Sequence, residues 1–198
     1  MKRAASKTQA QARQRAGPRA ATTRVPASDS EPPGSTAAGR GVAGASEHGG
    51  AFAVRPVQQS DIAAVTALDA RITSLGKGPH WQELFERSGK LRQPGQYFLV
   101  ASALGDTKPL LGFIVGEVRA WEFGSAPCGW VYAMSVDPDA RQHGIGERLL
   151  DAIAAEFRRS GVTKMRTMIA KHNAPPMLFF RAEGMMAGPY IQLEKDLT

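Results

Sequence analysis

The chain has 198 residues, 42% of them apolar and 22% charged, with a formal net charge of +7, the balance of an ordinary soluble protein of one or two domains. Its longest apolar run, near Pro109–Val118, falls far short of the ~20 residues that cross a bilayer. A single cysteine, Cys128, excludes an internal disulfide and fits a reducing compartment.

Residues 1–50 are rich in Ala, Gly, Pro, Ser and Thr, and hold only three large apolar side chains, Met1, Val25 and Val42. So few cannot offset roughly 1–2 kcal/mol of backbone entropy per ordered residue, and a disordered basic tail is expected. The tail carries 8 Lys+Arg against 3 Asp+Glu, the remaining residues 17 against 15. The basic character therefore belongs mostly to the tail and says little about the folded surface. No apolar segment follows Lys2 and Arg3 as a secretory signal requires. The absence of acids before Asp29 leaves a transit peptide open, and the absence of aromatic residues weighs against a nucleic-acid arm. The expectation is a cytoplasmic protein without membrane or nucleic-acid partners, folded over residues 51–198.

Phe52–Val57 reads as a strand and Ser60-Asp61 as the cap and first turn of a helix, whose apolar positions Ile62, Val65, Ala67 and Leu68 recur at helical spacing. Gly76, Gly78 and Pro79 break the chain before a second short helix marked by Trp81, Leu84 and Phe85. Tyr97–Ala103 and Leu110–Val118 flank Gly105-Asp106 as a hairpin, and Trp130–Val136 is a further strand. From Gly144 to Arg159 runs the strongest helix, with Ile145, Leu149, Leu150, Ile153 and Phe157 on one stripe and Gly161 at its end. A strand at about Met165–Ile169, a helix at about Pro175–Glu183 and a strand near Tyr190–Glu194 complete the order β-α-α-β-β-β-α-β-α-β. This is an α/β chain of α+β type: a mixed sheet with an antiparallel meander in the middle and helices on both faces.

The segment from Val136 to Gly146 passes from strand through a Gly-rich loop into that helix. Unpaired amides and the positive end of the helix dipole gather there, and glycines let a phosphate approach them. The third glycine of a dinucleotide fingerprint is missing, since Leu149 stands in its place. Gly76-Lys77 and Gly89-Lys90 lack the Ser/Thr of a nucleotide-hydrolase loop. Arg141–Gly146 satisfies R-x-x-G-x-G in full.

Val136-Asp137-Pro138, this loop, and Asn173-Ala174 followed by Phe179-Phe180-Arg181-Ala182-Glu183-Gly184 together resemble the GNAT superfamily of acetyl-CoA-dependent N-acetyltransferases, over roughly residues 52–195. The resemblance implies a mostly antiparallel sheet of six or seven strands flanked by helices. It implies acetyl-CoA as co-substrate, with Met134, Ser135 and Val136 on a splayed strand that pairs with the pantetheine arm. Arg141, Gln142, His143, Gly144, Ile145, Gly146, Glu147 and Arg148 fall where the family wraps the diphosphate, and Asn173 where it reaches the pantetheine. Phe180 falls where many members carry a tyrosine that protonates the departing thiolate. Phe180 has no proton to give, so Tyr132 or Tyr190 is expected to stand in, or else water.

Deprotonating an alkylammonium of pKa ~10.4 at pH 7 adds over 4 kcal/mol to the barrier, so a carboxylate base is sought. Glu117 is the candidate, an acid out of pattern in an apolar strand. Cys128 reads as a small apolar residue, and His48, His80 and His172 lack metal spacing, so no metal is expected. The loops Asp69–Trp81, Arg119–Gly129 and Gly188–Ile191 are left for the acceptor, with Trp81, Trp121 and Phe123 either lining an apolar slot or covering the core. The acids there (Asp69, Glu83, Glu86, Glu122) are too sparse to favour a polyamine. The expected partners are acetyl-CoA and an amine, a protein lysine or α-amino group ahead of a small metabolite, with a homodimer admissible. A non-catalytic acetyl-CoA-binding regulator is the alternative that Phe180 suggests.

Overall fold

Alternation along the second strand decides the architecture: Phe98 and Val100 point into one core, Leu99 and Ala101 into another. A strand buried on both faces needs helices on both sides of its sheet. The computed structural model of the protein describes residues 51–105 and 109–197. The expectations for residues 1–50, and for Asp106 in the hairpin turn, lie outside the described residues.

The described chain runs β1 (Phe52–Pro56), α1 (Ile62–Thr73), α2 (Gly78–Phe85), β2 (Gln96–Ala103), β3 (Leu110–Arg119), β4 (Cys128–Val136), α3 (Ile145–Arg159), β5 (Met165–Thr167) and α4 (Ala174–Ala182). The sheet order is β1-β2-β3-β4-β5. β1 to β4 pair antiparallel, and β5 joins β4 in parallel after the α3 crossover.

On one face, Val65 and Leu68 of α1 and Trp81, Leu84 and Phe85 of α2 close over Phe98, Val100, Phe113 and Val115. On the other, Leu149, Ile153 and Phe157 of α3 and Phe180 of α4 close over Leu99, Ala101, Ile114 and Val131. Burial of each Leu, Phe or Ile is worth about 1.5–3 kcal/mol, so both layers are needed to hold the sheet. α1 starts where the Gln58 amide donates to Asp61 Oδ2 at 2.7 Å, and Arg55 of β1 donates to both oxygens of that carboxylate.

Two departures from the expected pattern matter. The sheet has five strands among the described residues, not six or seven: the segment near Tyr190–Glu194 forms no strand. Its alternation is strand-like, but a strand exists only against a partner, and β5 offers three residues. The segment touches β5 instead through the Arg166 guanidinium, 4.7 Å from the centre of the Tyr190 ring. The second departure lies in β4. Ala133 pairs with Val115 and Val131 with Gly116, so Tyr132 is the extra residue of a β-bulge.

Candidate active site

The bulge sits where the sheet opens. β5 pairs with β4 only over Gly129–Val131, whereas β4 continues against β3 to Val136. Beyond Val131 one edge of β4 therefore has no strand partner among the described residues. The gap is one wall of a cleft of about 410 Å³ that Tyr132, Met134, Ser135, Asn173 and Phe180 all line. Val136 stands at the end of the same strand, opposite Gly112. Asn173 precedes α4, but its side chain makes no capping bond there, which leaves its amide free for the cleft.

From the end of β4 the chain makes a short turn over Pro138–Ala140, held by Asp137 accepting from the Asp139 amide at 3.0 Å. Arg71 of α1 bridges to Asp137 and Asp139 at 3.1 and 3.2 Å, tying the loop to the opposite helix layer. Gln142 and Gly144 adopt left-handed backbone, with φ of +67° and +70°. This conformation suits a glycine, and the two residues curl the loop over the start of α3.

No side chain caps α3 among the described residues, and its first closing bond runs from the Arg148 amide to the Gly144 carbonyl at 3.0 Å. The amides of Ile145, Gly146 and Glu147 precede that bond, so they form the open donor set expected at a helix N-terminus. A Cβ on Gly146 would lie 3.1 Å from Phe179 and 3.3 Å from Met134, so this glycine lets the helix start close against the cleft wall. Ile145 is buried and fixes the helix, while Arg141, Gln142, His143, Glu147 and Arg148 are exposed around the loop. His143 Nδ1 lies 3.2 Å from the Ala140 carbonyl, within the loop itself. Glu147 approaches Glu183, whose carboxyl is pushed above the usual range by burial, then by Glu147 and Asp151.

The two expected catalytic groups sit differently. Tyr132 lines the cleft, and its phenol is pushed up to about 12, first by burial and then by the charge of Glu117, with Arg87 and Arg119 partly offsetting. Glu117 is half-buried behind it, accepts from Arg119 Nε at 2.8 Å and does not line the cleft. Of the aromatic residues assigned to an acceptor slot, only Trp81 reaches the cleft, while also packing in the core at 2% exposure. Trp121 and Phe123 stand outside it, 72% and 104% exposed.

One cleft residue was placed by the sequence only in an acceptor loop, with no role of its own. Asp69 of α1 is buried, accepts from Trp81 Nε1 at 3.2 Å and pairs with Lys77 Nζ at 3.1 Å. The signal was present: Asp69 stands four residues after Val65 and seven after Ile62, on the apolar stripe of α1, as out of pattern as Glu117 in its strand.

The description "Acetyltransferase (GNAT) family" matches residues 63–185. This is more than half of the chain, and the protein belongs to that family. A mycothiol acetyltransferase from Saccharomonospora viridis is 36% identical over 88 residues, 44% of this chain but only 29% of that protein's length. Among solved structures, the aminoglycoside N-acetyltransferase AAC(6')-Iy in complex with CoA superposes with a TM-score of 0.65 at 17% identity, over 77% of this chain and 99% of the other. The aminoglycoside 6'-N-acetyltransferase AAC(6')-Ih from Acinetobacter baumannii gives 0.62 at 18% identity, over 75% and 100%. At such identities these likenesses speak for the fold. No described helix is long and apolar enough to cross a membrane.

Proposed function

We propose that the chain transfers an acetyl group from acetyl-CoA to a primary amine by direct attack in a ternary complex. The observation that carries this reading is the meeting, beside one cleft, of an unpaired strand edge on β4 and an uncapped start of α3. An extended chain of amides ending in a diphosphate has the complementary shape and charge. The α3 amides, with Gly144 and Gly146 giving access, would hold the diphosphate, and Arg141 and Arg148 would add charge around it. The edge of β4 at Met134, Ser135 and Val136 would pair with the pantetheine amides, with Asn173 reaching the same arm. The loop residues Gln142, His143, Ile145 and Glu147 complete the wrap, and Phe180 packs against the arm as a wall of the cleft.

The acceptor nitrogen attacks the thioester carbon, the C–N bond forms and the C–S bond breaks. An amide in the bulged β4 would steady the developing oxyanion. A thiol of pKa about 8.5 leaves tolerably as an anion. The Tyr132 phenol, pushed up to about 12, is a weaker acid than that thiol, so full proton transfer to the thiolate is unfavourable. Tyr132 therefore serves as a hydrogen-bond donor to the sulfur. Glu117 does not line the cleft and pairs with Arg119, so as the base it would take the acceptor's proton through water.

A small amine is the acceptor that a cleft of about 410 Å³ favours, and relatives named for mycothiol and aminoglycosides support it. A protein lysine or N-terminal amine is the second reading, favoured by the outward Trp121 and Phe123 as a contact for a larger partner. Coenzyme A release measured against a panel of amines and lysine peptides tests both. Acceptor-dependent release supports the reading. No acceptor raising release above background, together with no heat on titrating coenzyme A, would overturn it. Mass spectrometry with labelled acetyl-CoA then separates protein from small-molecule acceptors.

A further inference from the structure

We propose that Asp69 anchors a second cationic group on the acceptor, and that Lys77 holds this place until the acceptor arrives. The acceptor class is then a primary amine carrying one further ammonium or guanidinium. The inference rests on the acetyl-transfer reading and names its substrate.

Asp69 lines the same cleft as Tyr132 and Met134, and its side chain is 5% exposed. A carboxylate buried to that degree costs several kcal/mol unless it is paired. Trp81 does not explain it: an indole N–H needs only a neutral acceptor. The charge is matched by Lys77, from the segment between α1 and α2. The Lys77 ammonium reaches Oδ2 at 3.1 Å and Oδ1 at 3.4 Å, on a side chain one-third exposed. The indole bond is the fixed contact, and the ammonium, on a flexible stem open to solvent, is the exchangeable one.

The anchored nitrogen is not the one that reacts. A carboxylate beside an ammonium favours its charged form, whereas the attacking nitrogen must lose its proton. The acceptor therefore brings two nitrogens, one for Asp69 and one for the thioester. Asp69 is the one acid lining the cleft among the described residues, and Ile72, Trp81 and Phe113 supply apolar wall beside it. One counter-charge and an apolar lining suit a short linker between two cations. They do not suit a long polycation, in keeping with the scarcity of acids in the surrounding loops.

The test compares α,ω-diamines from 1,3-diaminopropane to 1,6-diaminohexane with monoalkylamines of equal length, by coenzyme A release from the full chain. In the wild type the best diamine should exceed its monoamine in kcat/KM by about ten- to a hundredfold, beyond the statistical factor of two. Asp69→Asn should collapse that ratio toward the statistical value, and Lys77→Met should raise it by lowering KM for the diamine. A wild-type ratio near the statistical value would overturn the anchor, and so would Asp69→Asn slowing both series equally with the ratio intact. If Asp69→Asn fails to fold, Lys77→Met decides alone: a ratio that falls refutes the placeholder role. Monoamine turnover without diamine preference sinks the anchor and leaves acetyl transfer standing, whereas no release with any amine sinks both.

Discussion

At the scale of single residues, the proton inventory around the cleft is unusual. Phe180, 8% exposed, contributes a wall and no proton, and Tyr132 holds its proton to about pH 12 because burial and the Glu117 charge both oppose the phenolate. A donor that cannot ionise near neutrality steadies a thiolate but hardly protonates it. Tyr132→Phe should therefore lower kcat by less than about tenfold, the range of one hydrogen bond, rather than the 10²–10⁴-fold typical of general acid catalysis. The rise of rate with pH below pH 10 should be the same in the variant, since Tyr132 does not titrate there. Steady-state kinetics from pH 6 to 10 checks both, and a loss above a hundredfold would reinstate Tyr132 as the acid. Phe180→Tyr puts a phenol on the cleft wall, and kcat should rise.

At the scale of elements, α3 and its loop form the unit proposed to hold the diphosphate. Arg141 is exposed and enters no ion pair among the described residues, so its charge is free for a ligand. Arg141→Ala should weaken coenzyme A binding about tenfold at low salt and less at high salt, with pantetheine, which lacks the diphosphate, unaffected. Isothermal titration at two ionic strengths reads this out. Equal losses for the two ligands would place Arg141 in the fold rather than at the phosphates. α3 was also the most legible element in the sequence. Its stripe from Ile145 to Phe157 repeats at 3.6 residues, and helical periodicity is local information. The bulge at Tyr132 was not legible, because it depends on the register between β3 and β4, which no stretch of either strand encodes alone. Tyr190–Glu194 fails for the same reason: alternation declares a willingness to pair and says nothing of the three-residue strand beside it. The glycine loop, Asn173 and Phe180 were legible as motif. Asp69 was legible as part of an acceptor loop, but its buried pairing was legible only to the rule that an acid on an apolar stripe needs a partner.

At the scale of the whole molecule, the sheet separates two helical layers, and few polar ties cross from one to the other among the described residues. Arg71 links α1 to the turn ahead of α3, but its pairs with Asp137 and Asp139 are exposed enough to contribute little. The tie between β1 and the start of α1 is different in kind. Burial alone would push the Asp61 carboxyl up, yet two bonds from Arg55 and one from the Gln58 amide more than offset it, and the net shift is downward. A carboxyl whose folded pKa lies below its unfolded value of about 3.9 stabilises the fold fully above that pH. The contribution is lost as pH falls through the folded pKa, because the proton then binds both states. Asp61→Asn should therefore lower Tm by a constant amount from pH 7 down to about pH 4, with the difference from wild type shrinking at lower pH. Thermal unfolding followed by circular dichroism from pH 7 to 2.5 measures that difference directly. A gap of equal size at pH 2.5 would mean that Asp61 acts through shape and hydrogen bonding alone, and that the Arg55 charge adds nothing to the joint between sheet and helix.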